Sequence, residues 1–288
     1  TESTLIRGND ISSMRDGIYL SYARETLVDD NRIHDLRYGL HAMFGSDLMI
    51  FDNEVARNAS GLVLMNTADL EAARNRIIGN RSDATGYGIL LKDTAGIRLV
   101  ENVIARGQVG IRVEGVDRAL ARADVLANRI AGNAVGVQLF PSARLVFSRN
   151  TFDGNLVQVD TPGAAAANGS DWIKTGMGNE WSTYTGYDLD GDGIGDIAHT
   201  EGSSAQRLLT ASPELRVLRT SLAYALLARA ERWWDVGRSQ RIVDRIPLTR
   251  SLAPGLAPSP RTTTDAVAFG ALGLALVGAL AAAARSSR

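Results

Sequence analysis

The sequence predicts a right-handed parallel β-helix of about 22 residues per turn, from two recurring markers. An Asn followed two places later by an apolar residue stands at Asn9, Asn31, Asn53, Asn75, Asn102, Asn128 and Asn150, at spacings of 22, 22, 22, 27, 26 and 22. A Gly–apolar–x–apolar run follows: GIYL from Gly17, GLHA from Gly39, GLVL from Gly61, GILL from Gly88, GIRV from Gly110 and GVQL from Gly136. It lies eight residues after the Asn in every turn but one. The exception follows Asn75, where GNRSDATGYG absorbs five extra residues; four more sit between Gly110 and Asn128. Insertions confined to a few points are what a solenoid with loops shows.

Each unit holds short alternating runs, such as Ile18 and Leu20, bounded by Gly and Asn. One unit cannot bury its apolar face alone. Stacked units pair as parallel strands about 4.8 Å apart, and their inward positions join into continuous columns. The Asn falls where the backbone turns, and stacked Asn side chains form a hydrogen-bonded ladder. A leucine-rich repeat has a similar period but places its Asn three residues after the last strand leucine. Here Leu64 to Asn75 is eleven residues. About seven turns fill residues 1–160, and the first residues, TESTLIRGND, already fit the repeat. The solenoid is therefore read as truncated at its N-terminus, without a signal peptide.

The register assigns side chains to faces. Ile18, Leu40, Leu62, Ile89, Ile111 and Val137 form one inward column; Leu20, Ala42, Leu64, Leu91, Val113 and Leu139 form another. The residues between them face out. These are Tyr19, His41, Val63, Leu90, Arg112 and Gln138, then Ser21, Met43, Met65, Lys92, Glu114 and Phe140. His41 and Met43 thus share a strand, and Met65 joins them from the next rung. Met49 belongs to another strand.

Composition narrows what that face can do. A net charge of −1 over 288 residues provides no global basic field, so nucleic acid is not an expected partner. Without cysteine there are no disulfides, thiolate metal sites or cysteine nucleophiles. Met and His are then the soft or borderline donors, and together they suit Cu(I). The same strip also fits a protein partner, or a later segment of the chain, with methionine as gap filler. Catalysis is a third reading: Tyr19 and His41, one rung apart, could be acid and base for a polysaccharide lyase or uronate epimerase. The Met and Val at the centre of the face are poor partners for sugar hydroxyls. Asp29, Asp30, Asp35 and Asp52 sit near turns and read as turn formers.

Beyond the repeat, residues 161–204 read as a capping region holding the loop GYDLDGDGIGD. Asp188, Asp190, Asp192, Gly193 and Asp196 match the first nine positions of an EF-hand-type loop. His199 stands where a bidentate Glu would complete it, so calcium is expected as a structural clip; a solvated Asp–Gly turn is the alternative. Residues 205–250 read as an amphipathic helical docking segment, with Ser212 as cap, Pro213 at the first position, and Leu215, Leu218, Leu222, Leu226 and Ala230 near one face. Such a helix would pack on the solenoid or dock on a membrane partner. Residues 251–264 read as a Pro-rich linker.

The last segment, 265–288, reads as a membrane anchor. Its core, 266–284, is 19 uncharged residues, spanning about 28 Å as a helix. Arg285 and Arg288 follow it, which places the C-terminus in the cytoplasm and the rest outside. A flexible Ala-rich tail and a processed sorting signal are the alternatives.

The stretches RYGLHAMFGSDLMIFDNEVARNASGLVLM, GYGILLKD, GNEWSTYTGYDLDGDGIGD and SPELRVL resemble the NosD family, from about residue 1 to 248. The order of these segments is more specific than the rungs alone, which many β-helices share. The resemblance implies a non-enzymatic periplasmic accessory protein for nitrous oxide reductase maturation. It implies that copper is handled together with an ABC transporter's membrane subunit and ATPase, a copper chaperone lipoprotein and the reductase itself. His41, Met43 and Met65 fall in the matching segments and become the copper candidates. The C-terminal membrane segment is not implied by the resemblance and rests on hydropathy.

Overall fold

A computed structural model describes residues 3–82, 86–115, 123–141, 143–162, 169–202, Leu222, Leu226 and 242–255. The chain winds as a parallel β-solenoid with three long sheets of seven, eight and seven strands. Each rung contributes one strand to each sheet. The third sheet, which carries the candidate site, runs Asp16–Ser21, Tyr38–Met43, Ser60–Met65, Tyr87–Lys92, Val109–Val113, Val135–Leu139 and Val157–Asp160. Its register joins Ile18 to Leu40, Leu40 to Leu62, Leu62 to Ile89 and Ile89 to Ile111. Both inward columns expected from the sequence are buried.

The Asn column lies at the corner between the first and second sheets. In six turns the residue before the Asn is a non-glycine in the left-handed region: Asp30, Asp52, Arg74, Glu101, Ala127 and Arg149. The Asn side chain closes the turn around it. Asn53 Nδ2 donates to Phe51 O two residues back at 2.7 Å and to Asn75 Oδ1 on the next rung at 3.0 Å. The backbone N–H of Asn53 donates to the same Asn75 oxygen at 3.0 Å. Links of this kind run from Asn9 through Asn31, Asn53, Asn75, Asn102 and Asn128 to Asn150. An αL residue is unfavourable in an isolated chain; here the backbone N–H of each one donates to a carbonyl of the following turn. Asp35, also left-handed, is a turn residue of another corner.

The recurring glycine has a different cause. A Cβ on Gly61 would lie 2.5 Å from Gly88 O, and one on Gly88 would lie 2.6 Å from Gly110 O. Successive rungs approach too closely there for any side chain.

The solenoid runs past residue 160 into the cap. Glu180–Trp181 pairs with Thr151–Asp153 as the eighth strand of the second sheet, and Asn179 accepts from Asn150 as an eighth ladder residue. Phe147 stacks on Trp172 at 4.4 Å, and Phe152 stacks on Trp181 at 4.2 Å, filling the end of the core. Within the stretch read as helical, Leu222 and Leu226 are helical, whereas Ile242–Asp244 forms a strand antiparallel to His199–Glu201. Ile242, Asp244 and Leu248 are buried in the cap. Among the described residues no helix is long and apolar enough to cross a membrane, and the segment 266–284 lies outside those residues.

Candidate metal site

His41, Met43 and Met65 lie together on the outer face of the third sheet. Leu40 and Ala42 point into the core at 0% exposure, so His41 and Met43 point away from it. Met43 and Met65 are direct partners on adjacent rungs, and His41 is opposite Val63. Met49 sits in the first sheet, between Leu27 and Glu71.

Two tyrosines enclose His41. Tyr19, its partner on the preceding rung, holds its ring 5.1 Å away at 57°. Tyr38 meets it edge-on at 5.2 Å. Tyr38 is itself pinned, because the Arg37 guanidinium lies 4.2 Å over its ring and forms a two-pronged pair with Asp16 at 3.0 and 2.8 Å. The Tyr19 hydroxyl donates to Met43 Sδ at 3.8 Å. Both ring nitrogens of His41 are withdrawn from solvent, and neither has a hydrogen-bond partner. Burial holds the imidazole below its ordinary pKa; the nearby Arg37 charge adds to this, and Asp16 opposes it. A neutral imidazole is the form that donates to a metal.

The outer face is less open than alternation implies. Val63 and Leu90 point away from the core in register but are 3% and 9% exposed. Alternation sets a side chain's direction, whereas its exposure depends on what overlies it. The central strip expected to face solvent is therefore buried within the chain.

Further along, the same face changes character. Lys92, next after Met65, lies 3.7 Å from Glu114. Arg112 bonds Glu114 at 2.6 Å and Gln138 at 2.7 Å and is flanked by the rings of Tyr87 and Phe140. Gln138 donates onward to Asp160 at 2.8 Å. The cations that a uronate carboxylate would need are engaged with protein partners, and the Tyr19 hydroxyl is bonded to sulfur rather than to His41.

The acidic loop brings Asp188, Asp190 and Asp192 together, with one carboxylate oxygen of each within 4.8 Å of the others. Asp196 is outside this group; its carboxylate accepts from Leu189 N at 2.8 Å and braces the loop. Desolvation works against ionisation of Asp188, but the N–H groups of Gly193 and Gly191 and the Thr249 hydroxyl outweigh it and hold the acid below its usual range. His199 is turned away into the cap, 3.0 Å from Glu201.

A second Asn column, beyond the markers seen in the sequence, stands at Asn58, Asn80, Asn133 and Asn155, where Asn58 donates to Asn80 and Asn133 to Asn155. Its signal is present: each lies five residues after a ladder Asn. Leu36 and Gly107 occupy the same place in other turns and break the pattern. Asp244, in no sequence repeat, terminates the first ladder: its carboxylate accepts from Asn179 N at 2.7 Å and Trp181 Nε1 at 3.0 Å.

A family model described as periplasmic copper-binding protein (NosD) matches residues 1–186. The chain belongs to the NosD family. A Pseudomonas aeruginosa protein named "Probable ABC transporter binding protein NosD" is 34% identical over 196 residues, 64% of this chain and 45% of the relative. A Stutzerimonas stutzeri protein of the same name is 31% identical over 187 residues, 60% and 42% respectively. The chain spans less than half the length of these curated relatives. Among solved structures, the A-module of Azotobacter vinelandii mannuronan C-5 epimerase AlgE4 has a TM-score of 0.44 and 18% identity, covering 62% of this chain and 54% of that one. The NosD match includes His41, Met43 and Met65 and ends just before Asp188.

Proposed function

We propose that this NosD-family chain is a non-catalytic periplasmic scaffold that carries Cu(I) for maturation of nitrous oxide reductase. In this reading it works with the membrane and ATPase subunits of an ABC transporter and receives copper from a chaperone lipoprotein. The observation that carries the proposal is His41: an imidazole with both nitrogens unpaired and withdrawn from water, beside two thioethers on adjacent rungs. A buried polar group without a partner costs about 1–3 kcal/mol, and a ligand that completes it removes that cost. Thioether and imidazole together favour a soft monovalent cation over calcium or magnesium. The family's description and the relatives' names support copper as cargo and a transporter as partner.

Titration of the purified protein with Cu(I) against a competing chelator tests this reading. Binding is expected in the wild type and is lost in the His41→Ala, Met43→Ala, Met65→Ala triple variant. Equal affinity in both would remove the site from these residues.

We also propose that the acidic loop takes calcium as a clip on the cap, through Asp188, Asp190 and Asp192. Added calcium should then raise the unfolding midpoint, by roughly 2–4 °C for each kcal/mol of linkage. No rise, or the same rise in Asp190→Asn, would refute it. The segment 266–284 provides an inner-membrane tether in this scheme; release of the protein by alkaline washing of membranes would rule the tether out.

A further inference from the structure

The two aromatic walls around His41 are built differently. Tyr38 is half-buried and fixed by the Arg37 stack and the Arg37–Asp16 pair. Tyr19 is 55% exposed, and its described contacts are the ring contact with His41 and the bond from its hydroxyl to Met43 Sδ. An exposed side chain changes rotamer on a picosecond to nanosecond scale, whereas one locked by stacking and ion pairing does not. The sulfur that Tyr19 contacts is one that would have to donate to the metal. The imidazole that its ring covers has nitrogens that water does not reach.

We propose that Tyr19 is the gate of the His41–Met43–Met65 cluster. The side chain breaks its O–H···S bond and swings outward to admit Cu(I). It then returns, placing its ring face over the bound cation, where the ring quadrupole attracts positive charge. Tyr19 is thus a positioning residue, which controls how fast the cluster loads and how long it holds the ion. The inference rests on the copper reading of the cluster.

Its test separates the two. Cu(I) transfer from a bicinchoninate complex is followed by stopped flow for the wild type, Tyr19→Phe and Tyr19→Ala. In parallel, metal-free protein is treated with dilute hydrogen peroxide, and sulfoxide at Met43 and Met65 is quantified by mass spectrometry. Loss of one weak hydrogen bond predicts loading of Tyr19→Phe roughly three- to tenfold faster than wild type. Tyr19→Ala should load at least as fast and release Cu(I) faster still. Met43 should oxidise faster in both variants while Met65, one rung further from Tyr19, stays at the wild-type rate. Wild-type uptake with unchanged loading, release and Met43 oxidation in both variants would overturn the gate and leave the site standing. Absence of Cu(I) uptake in all three proteins would overturn the site and the gate together.

Discussion

Asn102 and His41 are both polar side chains drawn out of water in one solenoid, and the fold treats them in opposite ways. Asn102 is fully paired. Its amide donates to Ala72 O at 2.8 Å and Asn128 Oδ1 at 2.9 Å, while its oxygen accepts from the backbone and side chain of Asn75 at 2.9 and 3.0 Å. His41, on the opposite side of the sheet surface from the core, has no partner at either ring nitrogen. A satisfied buried network adds rigidity and stability, and an unsatisfied group subtracts from it. The ladder therefore accounts for the fold. The histidine is a weakness in the fold, and under the proposed function that weakness is what binds copper.

The largest effect that bears on this contrast comes from the ladder. Asn102→Ala removes the one oxygen that accepts from both the backbone N–H and the side-chain amide of Asn75, and should lower the unfolding free energy by about 3 kcal/mol in urea denaturation. A loss well under 1 kcal/mol would mean that the rungs do not depend on their Asn column.

An intermediate effect is expected where the ladder ends. Burial raises the Asp244 pKa above 3.8, against the bonds from Trp181, Asn179 and Ile246. A raised acid pKa means that the folded state favours the protonated form. That contribution is complete below pH 3.8 and disappears as pH rises through the higher folded value. Asp244→Asn removes the titration, so its urea midpoint should fall less than the wild type's over that rise. Parallel pH profiles would break the assignment.

The smallest effect belongs to His41. Phenylalanine fills similar volume without unpaired nitrogens, so His41→Phe should raise stability by about 1 kcal/mol or less while abolishing Cu(I) binding. The depressed imidazole pKa adds a pH signature. Its contribution is present above pH 6.5 and is lost as pH falls through the lower folded value, so the variant should keep more stability than wild type in acid. A destabilised His41→Phe would show the imidazole to be a core residue, and the contrast would collapse.

Much of this could be read from the chain. A 22-residue period fixes which residues are neighbours on successive rungs, because parallel strands pair in register. From the period alone Met65 stands beside Met43, and Met49, although only six residues away, lies on another sheet. The Asn marks the corner between the first and second sheets, and the Gly marks the start of each third-sheet strand. The burial of Val63 and Leu90 could not be read, because alternation is blind to what overlies a face. Nor could the tie between Asp244 and Asn179, which are 65 residues apart, because no repeat links them. Periodic sequence determined the solenoid, its columns and the company that His41 keeps. Only the tertiary structure decided that the His41 nitrogens are unpaired, that Tyr38 is pinned by Arg37 while Tyr19 is exposed, and that Asp244 closes the ladder. Those outcomes depend on side-chain packing and desolvation in three dimensions, and the spacing of residues along a chain does not encode them.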